Sequence, residues 1–327
     1  MIKIAVDAFG GDYAPEQIVK GALQAAEQDG IRVILTGNET RLKSLINGKP
    51  GSDLIEIVHA PEVIQMDEAA EAVRSKPNSS LVQAARLVKE GAAGALVSAG
   101  STGATMAAGV LTIRRIKGVE RPAITSLMPT RTGVALIVDV GANVDCKPSQ
   151  LVQFAQMGSI YAENVLRIHR PRVGLLNIGH EPSKGNSLVK EVYTMLQDAS
   201  LNFVGNIEGR DISAGHCDVV VCDGFVGNVV LKFAEGLADA LFGMMKEEFT
   251  SSLSTKMGAL LLKPGLREIK KKVDYTEYGG APLLGVNGVV IIAHGGSNAK
   301  AIYNAIRVAK EGVQQNIVQG IAERMAT

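Results

Sequence analysis

The sequence GAAGALVSAGSTGATMAAGV, Gly91–Val110, contains the pattern that the rest of the chain repeats. Its apolar run Ala95–Ser98 follows Gly-Ala-Ala-Gly, which is typical of a buried parallel strand. Next come Ala-Gly-Ser-Thr-Gly-Ala and then apolar residues at helical spacing, Met106, Val110 and Ile113. We therefore expect a strand that turns through glycines and hydroxyls into a helix.

The turn between this strand and helix contains Gly100, Ser101, Thr102 and Gly103. Free N–H groups at a helix start, together with the positive end of the helix dipole, bind a phosphate or carboxylate. Glycine lets the backbone approach an anion closely, and the two hydroxyls add donors. An ordinary strand-to-helix turn with a serine or threonine N-cap has the same composition, so the turn alone leaves both interpretations open.

Strand, loop and helix alternate along nearly the whole chain, and polar, glycine-rich loops repeatedly follow the strands. This alternation predicts a three-layer α/β fold with a doubly wound, mostly parallel sheet and a site outside the carboxyl ends of the strands. Apolar runs at Ile124–Met128 and Val134–Val140, separated by Pro-Thr-Arg-Thr-Gly, favour an antiparallel hairpin within that sheet. No compositional break marks a linker, so residues 1–327 are expected to form a single α/β domain.

The composition narrows the class of protein. The 327 residues include 46% hydrophobic and 20% charged residues, the proportions of a globular chain. A net charge of +1, 4% aromatic residues and the absence of tryptophan argue against a nucleic-acid partner. Three cysteines without a CxxC spacing are typical of reduced cytoplasmic thiols. No apolar run reaches the about 18 residues of a membrane-spanning helix and no signal peptide is evident, so a cytoplasmic location is expected.

The section 229–266 departs from the alternation, since two helical stripes of apolar residues follow each other there. Thr-Ser-Ser at 250–252 separates the stripes, and Pro264-Gly265 is expected to end the second one. The pattern predicts a protruding helical hairpin that packs into the body or a dimer partner, or else contacts a membrane surface. The apolar residues near its predicted tip are Leu253, Met257, Leu260 and Leu261, and a basic cluster follows at Arg267 and Lys270–Lys272.

Several catalytic machineries are missing from the sequence. It has no GxxxxGK[ST] phosphate loop, no GxSxG nucleophile elbow and no GxGxxG dinucleotide fingerprint after the first strand. Its five histidines are not spaced as metal ligands, so neither a metal nor a cofactor is expected. What remains is a set of strand-end loops suited to binding an anion and stabilising an oxyanion, without an obvious covalent nucleophile.

Lys184 and Asn228 have the side chains best suited to this chemistry. Lys184 lies in a Pro-Ser-Lys-Gly-Asn loop where its charge can neutralise a phosphate, although most lysines are simply solvated. Asn228 either caps a helix or donates its amide hydrogen to a carbonyl oxygen. Further candidates for phosphate or substrate binding, besides the turn 100–103, are Asp7, Asn143, His180, His294 and Asn298. Capping and turn-stabilising roles are equally compatible with several of these residues.

The loops occur in a recognisable order along the chain. The motifs are AVDAFGGDYAPE, SAGSTGATMA, RPAI, DVGANVDCKP, NIGHEPSKGN, DVVVCDGFVGN, GAPLLGVNG and AHGGSNAKA. With them the chain resembles, over its whole length, the bacterial phosphate acyltransferases of phospholipid synthesis, the acyl-carrier-protein:phosphate transacylases. Phe9 stands where that family usually has methionine, a conservative apolar change. The resemblance implies a fold like that of isopropylmalate and isocitrate dehydrogenases and of phosphate acetyltransferases.

The resemblance also implies a reaction, in which inorganic phosphate takes a long-chain acyl group from acyl-carrier protein to give acyl phosphate for phosphatidic acid synthesis. Lys184 and Asn228 match the family's proposed catalytic residues, and the 240–262 hairpin matches its proposed membrane-contact tip. The resemblance further implies a homodimer, peripheral contact with an anionic membrane, and contact with a downstream glycerol-3-phosphate acyltransferase. We also expect the acidic carrier protein to meet basic residues such as Arg114, Arg115 and Lys117.

Three alternative functions stay open at this point. The nearest is a phosphate acetyl- or butyryltransferase that uses acyl-CoA. A decarboxylating dehydrogenase on the same fold needs clustered aspartates for a divalent metal and several substrate arginines, which are not evident in the sequence. A non-catalytic scaffold bound to a membrane explains the hairpin but not the many anion-binding loops.

Overall fold

The computed structural model describes residues 2–273 and 277–326, and the side chains of the predicted basic cluster at Lys270–Lys272 lie outside that description. The strands are β1 (Lys3–Asp7), β2 (Arg32–Gly37), β3 (Ile55–His59), β4 (Ala95–Ser98), β5 (Ala123–Thr130), β6 (Gly133–Val138), β7 (Arg172–Leu176), β8 (Asn202–Ile207), β9 (Val219–Val221), β10 (Ala281–Leu284) and β11 (Val289–Ile292). The α-helices are α1 (Glu16–Asp29), α2 (Glu39–Ile46), α3 (Ala72–Ser75), α4 (Ser80–Lys89), α5 (Thr102–Ala108), α6 (Pro148–Asn164), α7 (Ser187–Asp198), α8 (Gly209–Ala214), α9 (Gly224–Thr250), α10 (Leu253–Val273), α11 (Ala299–Gln314) and α12 (Ile317–Met325).

These strands form one sheet in the order β3-β2-β1-β4-β11-β10-β5-β6-β9-β7-β8. On one side of its centre the neighbouring strands β3-β2-β1-β4-β11 are parallel, and on the other side β6-β9-β7-β8 are parallel. The antiparallel pairs lie at the centre and are β11-β10, β10-β5 and β5-β6. The predicted mostly parallel sheet, with its β5–β6 hairpin, is confirmed.

Three successive antiparallel pairs reverse the direction of the sheet. The half from β6 to β8 therefore runs opposite to the half from β3 to β11. The eight-residue strand β5 joins the two halves, because its first two residues pair with β10 and its remaining six pair with β6.

The two halves are offset along β5, and the offset brings their carboxyl ends together. Thr125 of β5 pairs with Val138, the last residue of β6. The preceding residue of β5, Ile124, pairs with Leu283 of β10. The neighbouring Pro282 pairs with Ile291 near the end of β11. Ile291 in turn pairs with Val97 near the end of β4. The carboxyl ends of both halves therefore meet near the level of Thr125, from opposite directions.

A layer of helices covers each face of the sheet. Ile4 and Val6 of β1 lie in one buried cluster with apolar residues of α1, α6 and α11, whereas the intervening Ala5 lies in a second cluster with residues of α4 and α5. Successive side chains of a strand point to opposite faces, so strands that are apolar throughout are covered on both sides. The three-layer prediction is confirmed.

The start of α9 packs closely against the loop that follows β6. A Cβ atom added at Gly227 would overlap the carbonyl oxygen of Asp139, and one added at Gly224 would lie 2.7 Å from the carbonyl oxygen of Asn143. The backbone N–H of Gly224 donates to that Asn143 oxygen at 2.7 Å. Only glycine permits this approach of helix to loop, and the approach fixes the position of Asn228 one residue further on.

Helices α9 and α10 form the predicted hairpin, which extends over Gly224–Val273 rather than 229–266. The prediction that Pro264-Gly265 ends the second helix is wrong, because Pro264 lies inside α10. A proline removes one backbone donor, but the leucine, lysine, arginine and glutamate residues on both sides of it favour helix.

The chain ends in two helices, α11 and α12. Asn316 between them has a φ of 50°, a left-handed conformation that asparagine adopts more readily than most residues and that interrupts a helix. Strand β10 was not predicted, since four residues between Gly280 and Gly285 are too few to show a period.

We expect Gly227→Ala to lower the free energy of unfolding. Overpacking typically costs about 1–3 kcal/mol, and the cost here should be at least that large because the obstructing atom, Asp139 O, belongs to the backbone. Gly236→Ala, in an open part of α9, is the matched control and should raise stability by up to about 1 kcal/mol through helix propensity. Urea unfolding followed by circular dichroism measures both. Equal effects of the two substitutions would contradict the proposed close packing of α9.

Candidate active site

A cleft of about 400 Å³ lies where the carboxyl ends of the two halves meet. Thr102 and Gly103 from the turn after β4, and His294 and Ser297 from the loop after β11, line its side nearer the first half. Gly141 after β6 and Asn228 at the start of α9 line the opposite side. Residues far apart in sequence therefore converge on one space, as the strand-end pattern predicts.

Asn228 is the fifth residue of α9, the helix that follows β9. Asp223 is the N-cap of this helix, and its Oδ1 accepts a hydrogen bond from Val226 N at 2.9 Å. Asn228 is therefore not needed as the cap, and its side chain is exposed. A Cβ atom at Gly141 would lie 3.4 Å from Asn228 Nδ2, so the amide lies over a glycine at the wall of the cleft.

The wall beneath Asn228 is built around the buried carboxylate of Asp139. Its oxygens accept hydrogen bonds from four backbone N–H groups, those of Ile124, Gly141, Ala142 and Asn143, and from the Asn143 side-chain amide. Burial raises the pKa of Asp139, and these hydrogen bonds oppose the rise. The Asn143 amide also donates to Pro122 O at 2.8 Å, so both of its side-chain donor bonds go to the protein.

The turn after β4 rests on a second buried carboxylate, that of Asp7. Ser98 Oγ donates to Asp7 Oδ2 at 2.8 Å, and Gly100 N donates to Ser98 Oγ at 3.1 Å. Asp7 is 2% exposed, so the structure puts it beneath the turn rather than in the cleft. Burial raises its pKa, and hydrogen bonds from serine hydroxyls and the Phe9 and Gly10 N–H groups offset only part of the rise.

Ser101 is the N-cap residue of α5, but its side chain does not cap the helix. The first N–H groups of a helix have no partner within the helix, and Thr102 and Gly103 at the start of α5 line the cleft. Thr102 is exposed, and Thr105 Oγ1 donates to Ser101 O at 3.0 Å. Anion binding at this turn stays a prediction.

Lys184 lies outside the residues that line the cleft, on the loop after β7. Because β9 lies between β6 and β7, this loop is adjacent to the loop that leads into Asn228. The Lys184 side chain is exposed, and its stem runs over Gly179, where an added Cβ would lie 3.0 Å from Lys184 Cγ. Asn177 Nδ2 donates to Lys184 O at 3.2 Å.

The other predicted binding residues are His294, Asn298 and His180, and of these three His294 lines the cleft. His294 lines the cleft, and its Nδ1 accepts a hydrogen bond from Gly296 N at 3.1 Å, which places the ring proton on Nε2. Asn298 is the N-cap of α11, with Oδ1 accepting from Ala301 N at 3.0 Å. His180 points away from the cleft residues toward α8, where its Nε2 lies 2.7 Å from Asp211 Oδ2.

Comparison with known proteins identifies the family. The family model described as "Fatty acid synthesis protein" matches residues 2–320. A phosphate acyltransferase of Desulfitobacterium hafniense is 58% identical over 99% of this chain and 98% of its own length. The chain belongs to this family of acyltransferases. The phosphate acyltransferase of Pelotomaculum thermopropionicum is 56% identical over 98% of this chain and 94% of its own length.

Solved structures support the fold that the family resemblance implied. A phosphotransacetylase from Streptococcus pyogenes aligns with a TM-score of 0.65 and 20% identity, over 96% of this chain and 94% of its own. A 4-hydroxythreonine-4-phosphate dehydrogenase from Salmonella typhimurium aligns with a TM-score of 0.55 and 12% identity, over 95% and 99%. At these identities the likeness concerns the fold alone.

Two charged residues that line the cleft were not among the predicted site residues. Lys232 and Glu235 line the cleft on α9, and Lys232 Nζ lies 2.7 Å from Glu235 Oε2. The signal was present in the sequence, since Lys232 follows Asn228 by four residues and positions i and i+4 share a helix face. Burial raises the pKa of the Cys222 thiol well above its usual range, which makes this thiol a poor nucleophile.

The residues predicted to contact the carrier protein lie away from the cleft. Arg115 forms an isolated antiparallel β-bridge with Val286, which lies in the turn between β10 and β11. This turn is at the amino end of β11. The cleft lies at the other end of β11, beside His294. Arg114 and Lys117, on the same segment, are therefore at the amino ends of the first half of the sheet.

The hairpin exposes many apolar side chains. The four residues of its predicted tip are exposed to 77%, 65%, 68% and 83% for Leu253, Met257, Leu260 and Leu261, respectively. No helix among the described residues is long and apolar enough to cross a membrane. Within 2–273 and 277–326, no group of three or more histidine, cysteine or acidic side chains is arranged to hold a metal ion.

Because burial raises the pKa of Asp7, the stability of the folded chain should depend on pH through this residue. Because its pKa is higher in the folded chain than in the unfolded chain, its contribution to stability is present at low pH and is lost as pH rises through the folded pKa. We expect the stability of Asp7→Asn relative to the wild type to improve as pH rises through the raised pKa of Asp7 in the folded chain.

Urea unfolding at several pH values tests this prediction. Asp12→Asn, at an exposed position of the same loop, measures what the loss of a surface carboxylate contributes. A pH-independent difference between Asp7→Asn and the wild type would show that Asp7 is ionised as readily in the folded as in the unfolded chain.

Proposed function

We propose that this protein transfers a long-chain acyl group from acyl-carrier protein to inorganic phosphate, giving acyl phosphate and free carrier protein for phosphatidic acid synthesis. The observation that supports the proposal best is the cleft, which combines an anion-type turn at Thr102 and Gly103, an exposed amide at Asn228 and an apolar interior. The family and the motif resemblance supply the reaction class.

The proposed chemistry needs positioning more than it needs a base. A phosphate oxygen attacks the thioester carbon, the C–O bond forms, and the C–S bond breaks to release the carrier thiolate, which takes a proton from water. Phosphate is substantially dianionic at neutral pH, so it is already a nucleophile. The cost lies in bringing two electron-rich groups together, and donors and cations aimed at the developing charge lower that cost.

The proposal divides the candidate residues between phosphate binding and oxyanion stabilisation. The turn 100–103 and Lys184 hold the phosphate, with the lysine acting as a point charge. The Asn228 amide donates to the thioester oxygen as it becomes an oxyanion. His294 and the α11 start at Asn298 complete the polar side of the cleft.

The apolar lining of the cleft suits the acyl chain. Met106, Ile124, Leu127, Val140 and Leu231 all line it. Burial of methylene groups against such side chains contributes about 0.8 kcal/mol each, which favours long chains over acetyl or butyryl groups. This lining distinguishes the proposal from transfer of a short acyl group from acyl-CoA.

The proposal also assigns the exposed surfaces. The apolar stripe of α9 forms a homodimer contact, and the tip of the hairpin contacts an anionic membrane, so that a cytoplasmic protein delivers acyl phosphate to a downstream glycerol-3-phosphate acyltransferase. Phe233, Leu237, Leu241 and Met244 of the stripe are all exposed in the single chain. Surface apolar patches of this extent mark interaction sites.

The decisive experiment mixes the protein with palmitoyl-carrier protein and follows free thiol with and without phosphate. We expect phosphate-dependent release from the carrier protein and much slower release from palmitoyl- or acetyl-CoA. Preference for a CoA thioester would replace the proposed donor. No release from any donor would reject the proposed function.

Within this assay, Lys184→Ala should lower kcat/KM for phosphate by about 10²–10³-fold, the effect of removing one positioned electrostatic group. Lys190→Ala, on the exposed surface of α7, is the matched control and should leave the rate unchanged. Circular dichroism checks that both variants are folded. Equal rates for Lys184→Ala and the wild type would remove this lysine from the mechanism.

For the membrane contact, we expect the double substitution Leu260→Gln and Leu261→Gln to weaken sedimentation with phosphatidylglycerol vesicles, because it removes apolar surface at the tip. Val204→Gln changes an exposed apolar residue of β8, outside the hairpin, and should bind as the wild type does. Unchanged binding of the double variant would place the contact elsewhere.

A further inference from the structure

The loop 177–186, which carries Lys184, is tied to the neighbouring β8–α8 segment by side chains outside the cleft. Residues 180–184 of this loop are exposed, and Ile178 is 80% exposed, so apolar packing contributes little to its conformation. A loop with few buried contacts depends on its polar contacts for a defined shape. Besides the backbone hydrogen bond from Asn177 N to Ile207 O, two side-chain contacts connect it to α8 and β8.

The first contact involves Asp211, a buried carboxylate in the first turn of α8. Its Oδ2 accepts a hydrogen bond from Glu208 N at 2.8 Å as part of a capping box. The same Oδ2 lies 2.7 Å from Nε2 of His180, which belongs to the loop. His216, which follows α8 and is not part of the loop, lies on the other oxygen, with Nδ1 3.0 Å from Oδ1.

The second contact is a backbone anchor next to Lys184. Asn206 of β8 donates from Nδ2 to Glu181 O at 3.0 Å. The same Glu181 oxygen accepts from Lys184 N at 3.0 Å, which closes a turn between the two residues. His180 and Glu181 are adjacent, so the two contacts hold the loop immediately before this turn.

We propose that Asp211 is a positioning residue that acts through His180 to hold the loop 177–186, and with it Lys184, in the conformation that binds phosphate. This inference rests on the proposed phosphate-binding role of Lys184. It assigns His180 to the support of the loop, in place of the direct substrate contact expected from the sequence. His216 shares the carboxylate but does not reach the loop, and it provides an internal control.

Charge strengthens the contact near neutral pH. The hydrogen bond to Asp211 raises the pKa of His180, with Glu208 adding to the rise and Arg210 opposing it. Burial acts to raise the pKa of Asp211, but the hydrogen bonds from Glu208 N and His180, and the charges of His180 and His216, leave it below its usual range. The charged pair therefore exists between the lowered pKa of the acid and the raised pKa of the histidine, and it weakens as pH rises past the latter. Neutral His180 still donates a hydrogen bond from Nε2.

The test compares His180→Ala, His180→Gln and His216→Ala in the phosphate-dependent thiol assay. We expect His180→Ala to lower kcat/KM for phosphate by about 10–100-fold, the effect of a misplaced catalytic group. His180→Gln retains an amide donor and should recover most of the activity, and His216→Ala should match the wild type. The ratio of wild-type to His180→Gln activity should fall toward alkaline pH, and this ratio cancels the ionisation of phosphate itself.

Amide hydrogen exchange supplies a readout that does not depend on activity. Peptides covering 177–186 should exchange faster in His180→Ala, but not in His216→Ala or His180→Gln. Loss of activity without faster exchange would show that His180 contacts the substrate directly and would overturn the positioning role. Equal effects of His180→Ala and His216→Ala would reduce the cluster to general support of α8. An inactive wild type, in contrast, rejects the proposed function and leaves the exchange measurement as the test of the anchor.

Discussion

The offset pairing of β5 is the constraint on which the rest of the structure depends. In a wholly parallel sheet, all strand-end loops lie at one edge. This sheet reverses direction at its centre, and its carboxyl ends would lie at opposite edges if β6 and β10 paired with the same part of β5. Because β5 gives its first two residues to β10 and the next six to β6, the two sets of ends meet. A slip of one residue would also exchange the faces of every side chain on β6.

Backbone contacts and buried polar groups, more than apolar packing, fix the walls at the meeting point. Asp139 accepts hydrogen bonds from successive N–H groups of its own loop, and α9 packs onto that loop through Gly224 and Gly227. A buried carboxylate is costly unless its hydrogen bonds are made, so this loop cannot change shape without losing them. The wall that carries Asn228 is therefore set before any ligand arrives, which is what stabilisation of a developing charge requires.

The sequence predicts the elements better than it predicts the contacts of polar side chains. Each buried strand and glycine-rich loop has a local pattern, so the layers and the turn at 100–103 follow from the chain itself. The place of Asp7 depends instead on Ser98, 91 residues later on a neighbouring strand, and that of His180 on Asp211, 31 residues later. No local pattern reports such pairings. Lys232 differs, because its spacing from Asn228 is visible in the sequence and helical geometry alone places it on the cleft.

The exposure of Lys184 explains why the shape of its loop matters. Two unit charges 4 Å apart interact by about 1 kcal/mol in water and about 4 kcal/mol at the effective dielectric of a protein surface. A solvated lysine that samples many rotamers therefore contributes little to binding phosphate, and it also loses side-chain entropy when it orders. Its stem already lies along Gly179, and its backbone is closed onto Glu181 beside the His180–Asp211 contact. In the proposed phosphate-binding role of Lys184, ordering the loop in advance reduces the entropy lost on binding.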